Sequence, residues 1–341
     1  MWTPKYIISN QLLRTSLAIG ETLGTIKAHA MSGQRLDTLL LEARALSTFA
    51  STSIEGNPLP LTDVRRLLKN APAQVRDTER EILNYNRALE WVYEQVSQGR
   101  FEFSAKTYCH IQGLVVEGLM DNPFDVGQFR QKPVVIRDPR IADSLIFLPP
   151  NHRDVTDLCQ ELFDYINANL TTLDPLMLAG LFHKQAVIIH PFMDGNGRST
   201  RLMTSALLGM AGFDFWSIFS FEAYYQRNIT RYFEVVGERG DYYDIRDQID
   251  FTAWLEYFAD GILDELKRVQ KTLPANPERL EPHHQQILTY IDQNGSISQR
   301  EYGHISGRSL SARKQDFTHL LNLGLIEKRG GGRSVYYVRG E

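Results

Sequence analysis

The loop from His190 to Arg201 constrains this chain more than any other segment. Apolar residues recur at helical spacing from Pro175 to Ile189, and helical patterning resumes after the loop. Glycine, and to a lesser extent asparagine, tolerates positive φ, so residues 194–197 (Asp-Gly-Asn-Gly) can turn the chain sharply. A second helix that begins near Arg198 leaves unpaired backbone N–H groups at its positive end, which suits a phosphate. The sequence therefore predicts two helices joined by a phosphate-binding loop.

Four side chains of this loop carry groups suited to nucleotide chemistry. Arg198 and Arg201 are three residues apart, so on a helix their guanidinium groups can reach two phosphates of one nucleotide. Asp194 offers the hard carboxylate that Mg²⁺ prefers beside phosphate oxygens. The imidazole of His190 can accept a hydroxyl proton near neutral pH. We therefore expect His190 to be a general base and Asp194 a ligand of Mg²⁺.

Other interpretations of the loop are weaker. His183 and His190 are seven residues apart and share a helix face, as two metal ligands could, but no third ligand follows at zinc-like spacing. The sequence lacks the G-x-x-x-x-G-K-[ST] motif of P-loop ATPases. A lone histidine or a lone Gly-x-Gly turn is weak evidence, and the argument depends on their occurring together.

Most of the remaining sequence has the three- and four-residue apolar spacing of amphipathic helices, which predicts a mainly α protein. Residues 132–150 differ, because β-branched and apolar runs face each other across Pro139 and end at Pro149 and Pro150. This segment, here called the flap, is predicted to be an exposed β-hairpin. Three prolines indicate a linker over residues 273–282.

Beyond the linker, three short helical segments precede two β-rich segments, which is the order of elements in a winged helix. We therefore expect an N-terminal helical region (1–97), a central domain (98–272), the linker and a winged-helix domain (283–341). The partner of this last domain is either DNA or a protein. Its basic residues could contact phosphates, although acidic residues dilute the patch; the basic residues are Arg308, Arg313, Lys314, Lys328, Arg329 and Arg333.

The composition excludes several classes of protein. Hydrophobic and charged residues make up 43% and 23% of the 341 residues, as in folded globular proteins. The formal net charge of -4 argues against nucleic-acid binding over most of the surface. Cys109 and Cys159 have no metal-spaced partners, and neither a signal peptide nor a bilayer-spanning apolar run is found. We therefore expect a cytoplasmic protein that does not cross a membrane.

The loop matches the motif HPFx[DE]GNGRxxR of the Fic family at every fixed position. The chain resembles this family over roughly residues 100–240, and Asp125–Arg130 with the flap resembles the segment on which Fic proteins align target peptides by strand pairing. The resemblance implies a helical Fic core and transfer of AMP from Mg-ATP to a Ser, Thr or Tyr hydroxyl of a protein docked at the flap.

The resemblance also implies roles for individual residues. His190 would deprotonate the hydroxyl and Asp194 would hold Mg²⁺. The α-phosphate would bind Asn196 and the amides of Gly195 and Gly197, and the outer phosphates would bind Arg198 and Arg201. In the family a later helix closes over adenine with a tyrosine and an asparagine. Tyr225 and Asn228, beside Tyr224, occupy a similar place, although aromatic residues at this spacing are as often part of a core.

A second motif lies upstream, where a helical pattern that begins near Leu36 ends at Glu55 and Gly56. Ser51 and Glu55 are four residues apart and share a helix face, and Gly56 can end the helix in a left-handed conformation. The segment resembles the Fic inhibitory motif [ST]xxxE[GN]. The resemblance implies that Glu55, with Ser51, binds Arg201 and keeps the γ-phosphate from its productive position. The same glutamate could instead orient water that hydrolyses an AMP–protein bond.

Several properties stay open in the sequence: the target protein, the modified residue and the net direction of the reaction. Self-modification and a homodimer are both compatible with it.

Overall fold

The computed structural model describes residues 2–28, 34–137, 145–213, 215–273 and 280–340. These residues form fifteen α-helices and five short strands, which confirms the prediction of a mainly α protein. The helices are α1 (Asn10–Ala28), α2 (Gln34–Ile54), α3 (Leu61–Lys69), α4 (Asp77–Ser97), α5 (Ala105–Val116), α6 (Val155–Asn169), α7 (Pro175–Ile189), α8 (Asn196–Met210), α9 (Phe221–Arg227), α10 (Ile229–Val236), α11 (Tyr242–Ile245), α12 (Thr252–Thr272), α13 (Pro282–Asn294), α14 (Gln299–Ser306) and α15 (Leu310–Asn322). The strands are β1 (Ile136–Arg137), β2 (Leu145–Leu148), β3 (Gly240–Asp241), β4 (Ile326–Arg329) and β5 (Tyr336–Arg339).

The chain divides into two compact units. The first comprises Met1–Thr22 and Glu42–Arg268, and the second comprises Leu23–Leu41 and Val269–Glu341. The boundary expected at residue 97 falls inside the first unit, because α4 packs against both α5 and α8. Of the expected linker, residues 274–279 lie outside the described residues.

Helices α7 and α8 are central to the first unit, and the 190–201 loop joins them. Helix α7 begins after Asp174, whose side chain caps it by accepting a hydrogen bond from the Leu176 amide, with proline at the first helical position. Almost every residue of α7 is buried, as expected for a helix that is apolar all round. Helix α8 begins at Asn196, directly after Gly195 in a left-handed conformation (φ 80°). Both predicted helices are therefore present.

The flap contains the predicted hairpin in a shorter form. Strand β1 pairs antiparallel with β2, and Ile136 lies opposite Phe147. Val134 and Val135, expected in the strand, precede it, and the predicted turn at Pro139 lies outside the described residues. Strand β2 also pairs in parallel with β3, an addition that the sequence did not signal because β3 has two residues and no β-branched side chain.

The second unit contains α13, α14 and α15 followed by the antiparallel pair β4–β5, in the predicted order. Its core includes Ile287, Phe317 and Tyr337. The backbone of Ile297 pairs with that of Tyr337 through two hydrogen bonds of 2.8 and 2.9 Å, which ties the α13–α14 connection to β5. Among the described residues, no helix is long and apolar enough to cross a membrane.

The packing of α7 against α12 yields a test of the first unit. Trp254 is fully buried, and its Nε1 donates a hydrogen bond of 2.7 Å to the carbonyl of Gly180. We expect Trp254→Phe to lower the free energy of unfolding by about 2 kcal/mol or more, because it leaves a cavity and removes this bond. Urea denaturation of the full chain followed by circular dichroism measures the loss. Trp91→Phe, at a partly exposed tryptophan, is the control, and an equal loss in both variants would contradict this account.

Candidate active site

His190 ends α7 in a left-handed conformation, with φ 51° and ψ 60°. Such a conformation costs a non-glycine residue about 1–3 kcal/mol and persists only where the surroundings enforce it. Here the backbone is held on both sides: the amide of His190 donates to Ala186 O (3.0 Å), and its carbonyl accepts a hydrogen bond from Arg130 Nε (2.8 Å). Buried Arg130 also donates to the carbonyl of Pro150, so that one side chain fixes both the entry to the loop and the end of the flap.

The imidazole of His190 is in the protonation state that a base requires. Burial lowers the pKa of His190 to about 4, and the nearby Arg130 guanidinium acts in the same direction. A backbone interaction with Val187 and the carboxylates of Glu55 and Asp194 partly offset this effect. At neutral pH the ring is therefore uncharged and can accept a proton.

The loop is closed by the side chain of Asn196. Its Oδ1 accepts a hydrogen bond from the Phe192 amide (2.8 Å), and its Nδ2 donates to the Phe192 carbonyl (2.9 Å). The side-chain amide therefore holds the loop together, and the second N–H of its Nδ2 has no partner among these two bonds, so the expected contact of Asn196 with a phosphate stays a prediction. Phe192 itself is buried against Tyr108, as a loop anchor should be.

Asp194 and Arg198 contact each other at the start of α8. Nη2 of Arg198 donates to Oδ1 of Asp194 at 2.8 Å, and the amide of Gly195 donates to the same oxygen. The Asp194 side chain is 52% exposed, so its carboxylate also faces solvent. Gln112 of α5 also stabilises the loop, because its Nε2 donates a hydrogen bond to the Asp194 carbonyl.

Arg201 binds the end of α2 as the inhibitory motif predicts. Its Nη2 donates to Glu55 Oε1 at 2.7 Å and to the Ser51 carbonyl at 2.9 Å, and its Nε donates to Ser51 Oγ at 2.7 Å. Arg201 is 1% exposed and Glu55 is 30% exposed. Burial alone would lower the pKa of Arg201, but the Glu55 carboxylate, together with Tyr232 and Tyr85, more than offsets this effect and the pKa is raised. The guanidinium is thus a permanent charge that one carboxylate neutralises.

Glu55 lies directly over Gly197. A Cβ atom at position 197 would collide with Glu55 Oε1 and would approach Nη1 of Arg201 to 2.9 Å. Glycine leaves room for the carboxylate to approach the backbone at the first turn of α8, where the positive end of the helix attracts an anion. Glu55 therefore lies beside the first turn of α8, where the loop sequence predicts that a phosphate binds.

A second acidic residue, absent from the sequence prediction, binds the other arginine of the loop. Glu81 Oε1 accepts a hydrogen bond of 2.5 Å from Arg198 Nη1, and both side chains are largely buried. Glu81 belongs to α4, and on a helix a glutamate normally indicates a solvent-facing position. The surrounding sequence carries no signal that separates Glu81 from the exposed glutamates of the same helix.

His183 does not act as a metal ligand with His190. Its Nδ1 lies 3.0 Å from Thr204 Oγ1 and its Nε2 lies 3.1 Å from the Tyr232 hydroxyl, so both ring nitrogens have partners. Burial lowers the pKa of His183 well below its usual value, and the charge of Arg201 acts in the same direction. This histidine is a neutral core residue.

Tyr225 does not line an adenine pocket as expected, because its side chain is fully buried. Its fully buried ring stacks on that of Tyr232, with ring centroids 4.5 Å apart. It also packs against the ring of Tyr257, with centroids 5.8 Å apart. The aromatic spacing therefore reflected the core. Asn228 caps α10 and lines a cavity of about 470 Å³ with Tyr224, but no residue of the 190–201 loop is among the described residues that line it.

The donor set at the loop fits a magnesium ion bound with a nucleotide. Asp194 supplies one half-exposed carboxylate, and Mg²⁺ commonly takes one or two carboxylates with phosphate oxygens and water. Within the described chain, a cluster of other candidate ligands lies in the second unit, at His283, His284 and Asp316. Arg308 and Tyr302 already bind both carboxylate oxygens of Asp316, which leaves that cluster an ion-paired network.

Comparison with known proteins agrees with this geometry. Residues 102–208 match the model of the Fic/DOC family. The chain is similar to the protein adenylyltransferase Fic of Drosophila erecta, with 31% identity over 176 residues, which is 50% of this chain and 33% of that protein. It is 28% identical to the protein adenylyltransferase Fic of Drosophila virilis over 204 residues, 59% of this chain and 40% of that protein. The chain thus spans about a third of the length of the first of these relatives.

Solved structures share the fold. A Fic family protein from Desulfovibrio desulfuricans G20 aligns with a TM-score of 0.64 and 20% identity, covering 99% of this chain and 98% of that one. A Fic domain containing signaling protein from Bacteroides thetaiotaomicron VPI-5482 aligns with a TM-score of 0.62 and 16% identity, covering 77% of this chain and 99% of that one. At these identities the likeness establishes the fold alone.

The protonation state of His190 can be measured directly. Because its pKa is about 4, we expect the ring to stay more than about 90% neutral above pH 5. The ring resonance of His190, assigned by its loss in His190→Gln, should therefore not shift between pH 6 and 8 in an NMR titration. A titration midpoint near the ordinary value of about 6.5 would show that burial does not hold the imidazole neutral.

Proposed function

We propose that this chain, whose residues 102–208 form a Fic domain, transfers AMP from ATP to a hydroxyl group of a protein. One observation carries the proposal: the Glu55 carboxylate occupies an anion site built from Gly197 and Arg201, while neutral His190 lies at the other end of the same loop. An anion site beside a neutral imidazole is the arrangement that phosphoryl chemistry with a protein hydroxyl requires. The protein adenylyltransferase name of the Drosophila relatives supports the same activity.

The geometry supports a direct displacement. His190 would accept the proton of the hydroxyl as its oxygen attacks the α-phosphorus; the bond from that phosphorus to the bridging oxygen would break, and pyrophosphate would leave. Arg198 and Arg201 would bind the charge that develops on the leaving group. Asp194 would hold Mg²⁺ against the phosphates, where the ion would neutralise part of their charge.

The flap is the proposed docking site of the target protein. Strand β1 is the outer strand of the three-stranded sheet β1-β2-β3 and so forms one edge of that sheet. An extended peptide can pair with such an edge. Arg130 joins the end of the flap at Pro150 to the backbone of His190. A target peptide paired with the flap would therefore present its hydroxyl near the imidazole of His190.

Glu55 is the proposed brake. A triphosphate whose outer phosphate needs Arg201 must displace a carboxylate bound at 2.7 Å. Breaking a buried pair from one side costs about 3–5 kcal/mol, and the partial exposure of Glu55 places this pair at the low end or below. The free thiols of Cys109 and Cys159 fit the reducing conditions of the cytoplasm, where we propose that the enzyme acts.

The second unit supports protein docking better than DNA binding. Three of the basic residues expected to contact phosphates are bound within the chain: Arg308 to Asp316, Arg313 to the Gln299 carbonyl, and Arg329 to Glu327. Ile305, Leu310 and Tyr336 are large exposed apolar side chains, which are enriched where proteins meet. We propose that this winged-helix-like unit docks a protein.

Removing the brake tests the proposed function. We expect Glu55→Gly to raise the rate of AMP transfer from α-labelled ATP by about tenfold to a hundredfold, because Arg201 becomes free for phosphate. Mg-ATP should also raise the melting temperature of this variant more than that of the wild type, since only the variant lacks an anion at Arg201.

Two further variants and two label measurements give the control and the opposing outcomes. Glu42→Gln changes a carboxylate of the same helix that pairs with exposed Arg65, and it should leave the rate unchanged. His190→Ala in the Glu55→Gly background should abolish labelling, and retained label would exclude His190 as base. Transfer of γ-label would indicate a kinase, and loss of label from a modified protein that requires Glu55 would indicate a hydrolase.

The docking assignment is tested by a gel-shift titration with duplex DNA. We expect no shifted band between about 50 and 200 mM salt, because Arg308 and Arg329 pair with carboxylates of the chain and Arg313 donates to a backbone carbonyl. A band that weakens steeply with salt and disappears in Lys314→Glu or Lys328→Glu would establish DNA binding instead.

A further inference from the structure

Arg198 is held by two carboxylates of the chain itself. Its Nη1 donates to Glu81 Oε1 at 2.5 Å and its Nη2 donates to Asp194 Oδ1 at 2.8 Å. The arginine side chain is 5% exposed and that of Glu81 is 16% exposed, so water screens their attraction little. In this state neither terminal nitrogen of Arg198 points a free pair of donors at a phosphate, and one oxygen of Asp194 is occupied.

The other oxygen of Glu81 binds the segment that carries the brake. Oε2 of Glu81 accepts a hydrogen bond of 2.7 Å from Nδ2 of Asn57, two residues beyond Glu55. Asn57 is buried, and its side chain also donates to the Thr78 carbonyl (2.8 Å) and accepts from the Leu59 amide (3.1 Å). The Asn57 amide donates to the Thr52 carbonyl and so closes the turn that presents Glu55.

These contacts form one continuous path between the two arginines of the loop. The path runs from Arg201 to Glu55 and along the backbone to Asn57. The side-chain amide of Asn57 then contacts Glu81, which in turn binds Arg198. Gly56, at φ 99°, lies between the two side-chain contacts and lets the chain reverse there. A movement of the backbone at residues 55–57 that withdraws Glu55 from Arg201 would also displace Asn57 from Glu81.

We propose that Glu81 is a positioning residue that holds Arg198 in its resting place, and that Asn57 couples this clamp to the brake on Arg201, so that both phosphate-binding arginines are released together. The inference rests on the proposed AMP transfer. It differs from the brake alone, because removal of Glu55 frees Arg201 while Glu81 continues to compete with phosphate for Arg198. The Glu55→Gly variant should therefore bind ATP less tightly than a variant in which both arginines are free.

The clamp is tested first in the Glu55→Gly background, where turnover is measurable. We expect Glu81→Gln to lower the KM for ATP about fivefold and to change kcat less than twofold, because a neutral partner releases Arg198 for the ground-state phosphates. Glu90→Gln is the matched control: it lies on the same helix and removes an ion pair with Arg44 of α2 that touches neither arginine of the loop. It should leave both constants unchanged.

The coupling is tested in the chain with its brake intact. Asn57→Asp keeps an acceptor for the Leu59 amide but sets a carboxylate against Glu81, so we expect it to raise AMP transfer about fivefold. In the Glu81→Gln background, Asn57→Asp should raise the rate of AMP transfer by less than about twofold, because residue 81 then carries no negative charge for the introduced carboxylate to repel. Additive effects of the two substitutions would exclude the coupling.

Other outcomes separate failure of the clamp from failure of the enzyme. An unchanged or higher KM for ATP in the Glu81→Gln variant, with normal melting temperature, would overturn the clamp and indicate that Glu81 orients Arg198 for catalysis. Glu81→Asp, which keeps the charge on a shorter side chain, should give an intermediate KM and serves if the glutamine variant is unstable. Absence of any label transfer by Glu55→Gly would refute the proposed function itself.

Discussion

The guanidinium of Arg201 is a charge that the fold keeps almost entirely out of water, and the rest of the site follows from it. An isolated buried charge is expensive, so an anion must lie against it. In the resting chain that anion is Glu55, and the same position at the start of α8 is favourable for a phosphate. Under the proposed function, the protein's own carboxylate and the nucleotide would therefore compete for one site, and autoinhibition would be a consequence of how Arg201 is buried.

The backbone of the loop is fixed independently of any ligand. Arg130 holds the carbonyl of His190, Asn196 bridges the two backbone groups of Phe192, and Gln112 supports Asp194. Each contact uses a polar side chain that the sequence alone could assign to a ligand. The contacts within the chain thus organise the loop, which would lower the reorganisation that binding of a nucleotide requires.

The sequence predicted the helices well because they are buried on one face or all round, and this burial imposes the apolar spacing from which they were read. It also predicted the contact between Glu55 and Arg201, through motif resemblance and not through any local physical signal. Glu81 and the two-residue strand β3 were missed, since both depend on partners distant in the chain. Tyr225 was assigned to a ligand pocket because aromatic residues that line a core have the same helical spacing as those that line a pocket.

The position of Glu55 indicates how its contact with Arg201 can be released. Glu55 follows the last residue of α2, where the negative end of the helix dipole disfavours a carboxylate by about 0.3–1 kcal/mol. Arg201 offsets this penalty while the end of α2 stays docked, and the penalty makes the net stabilisation by the contact smaller than the ion pair alone would give. Asn57 adds a hydrogen bond to Glu81 on the same short segment, which makes the docked state depend on two contacts separated by one glycine. A ligand or partner that binds near residues 55–57 needs to move only this turn. Under the proposed function, the free energy that it must supply is the free energy of the contacts made by Glu55 and Asn57 minus that of the contacts made by ATP with the released arginines.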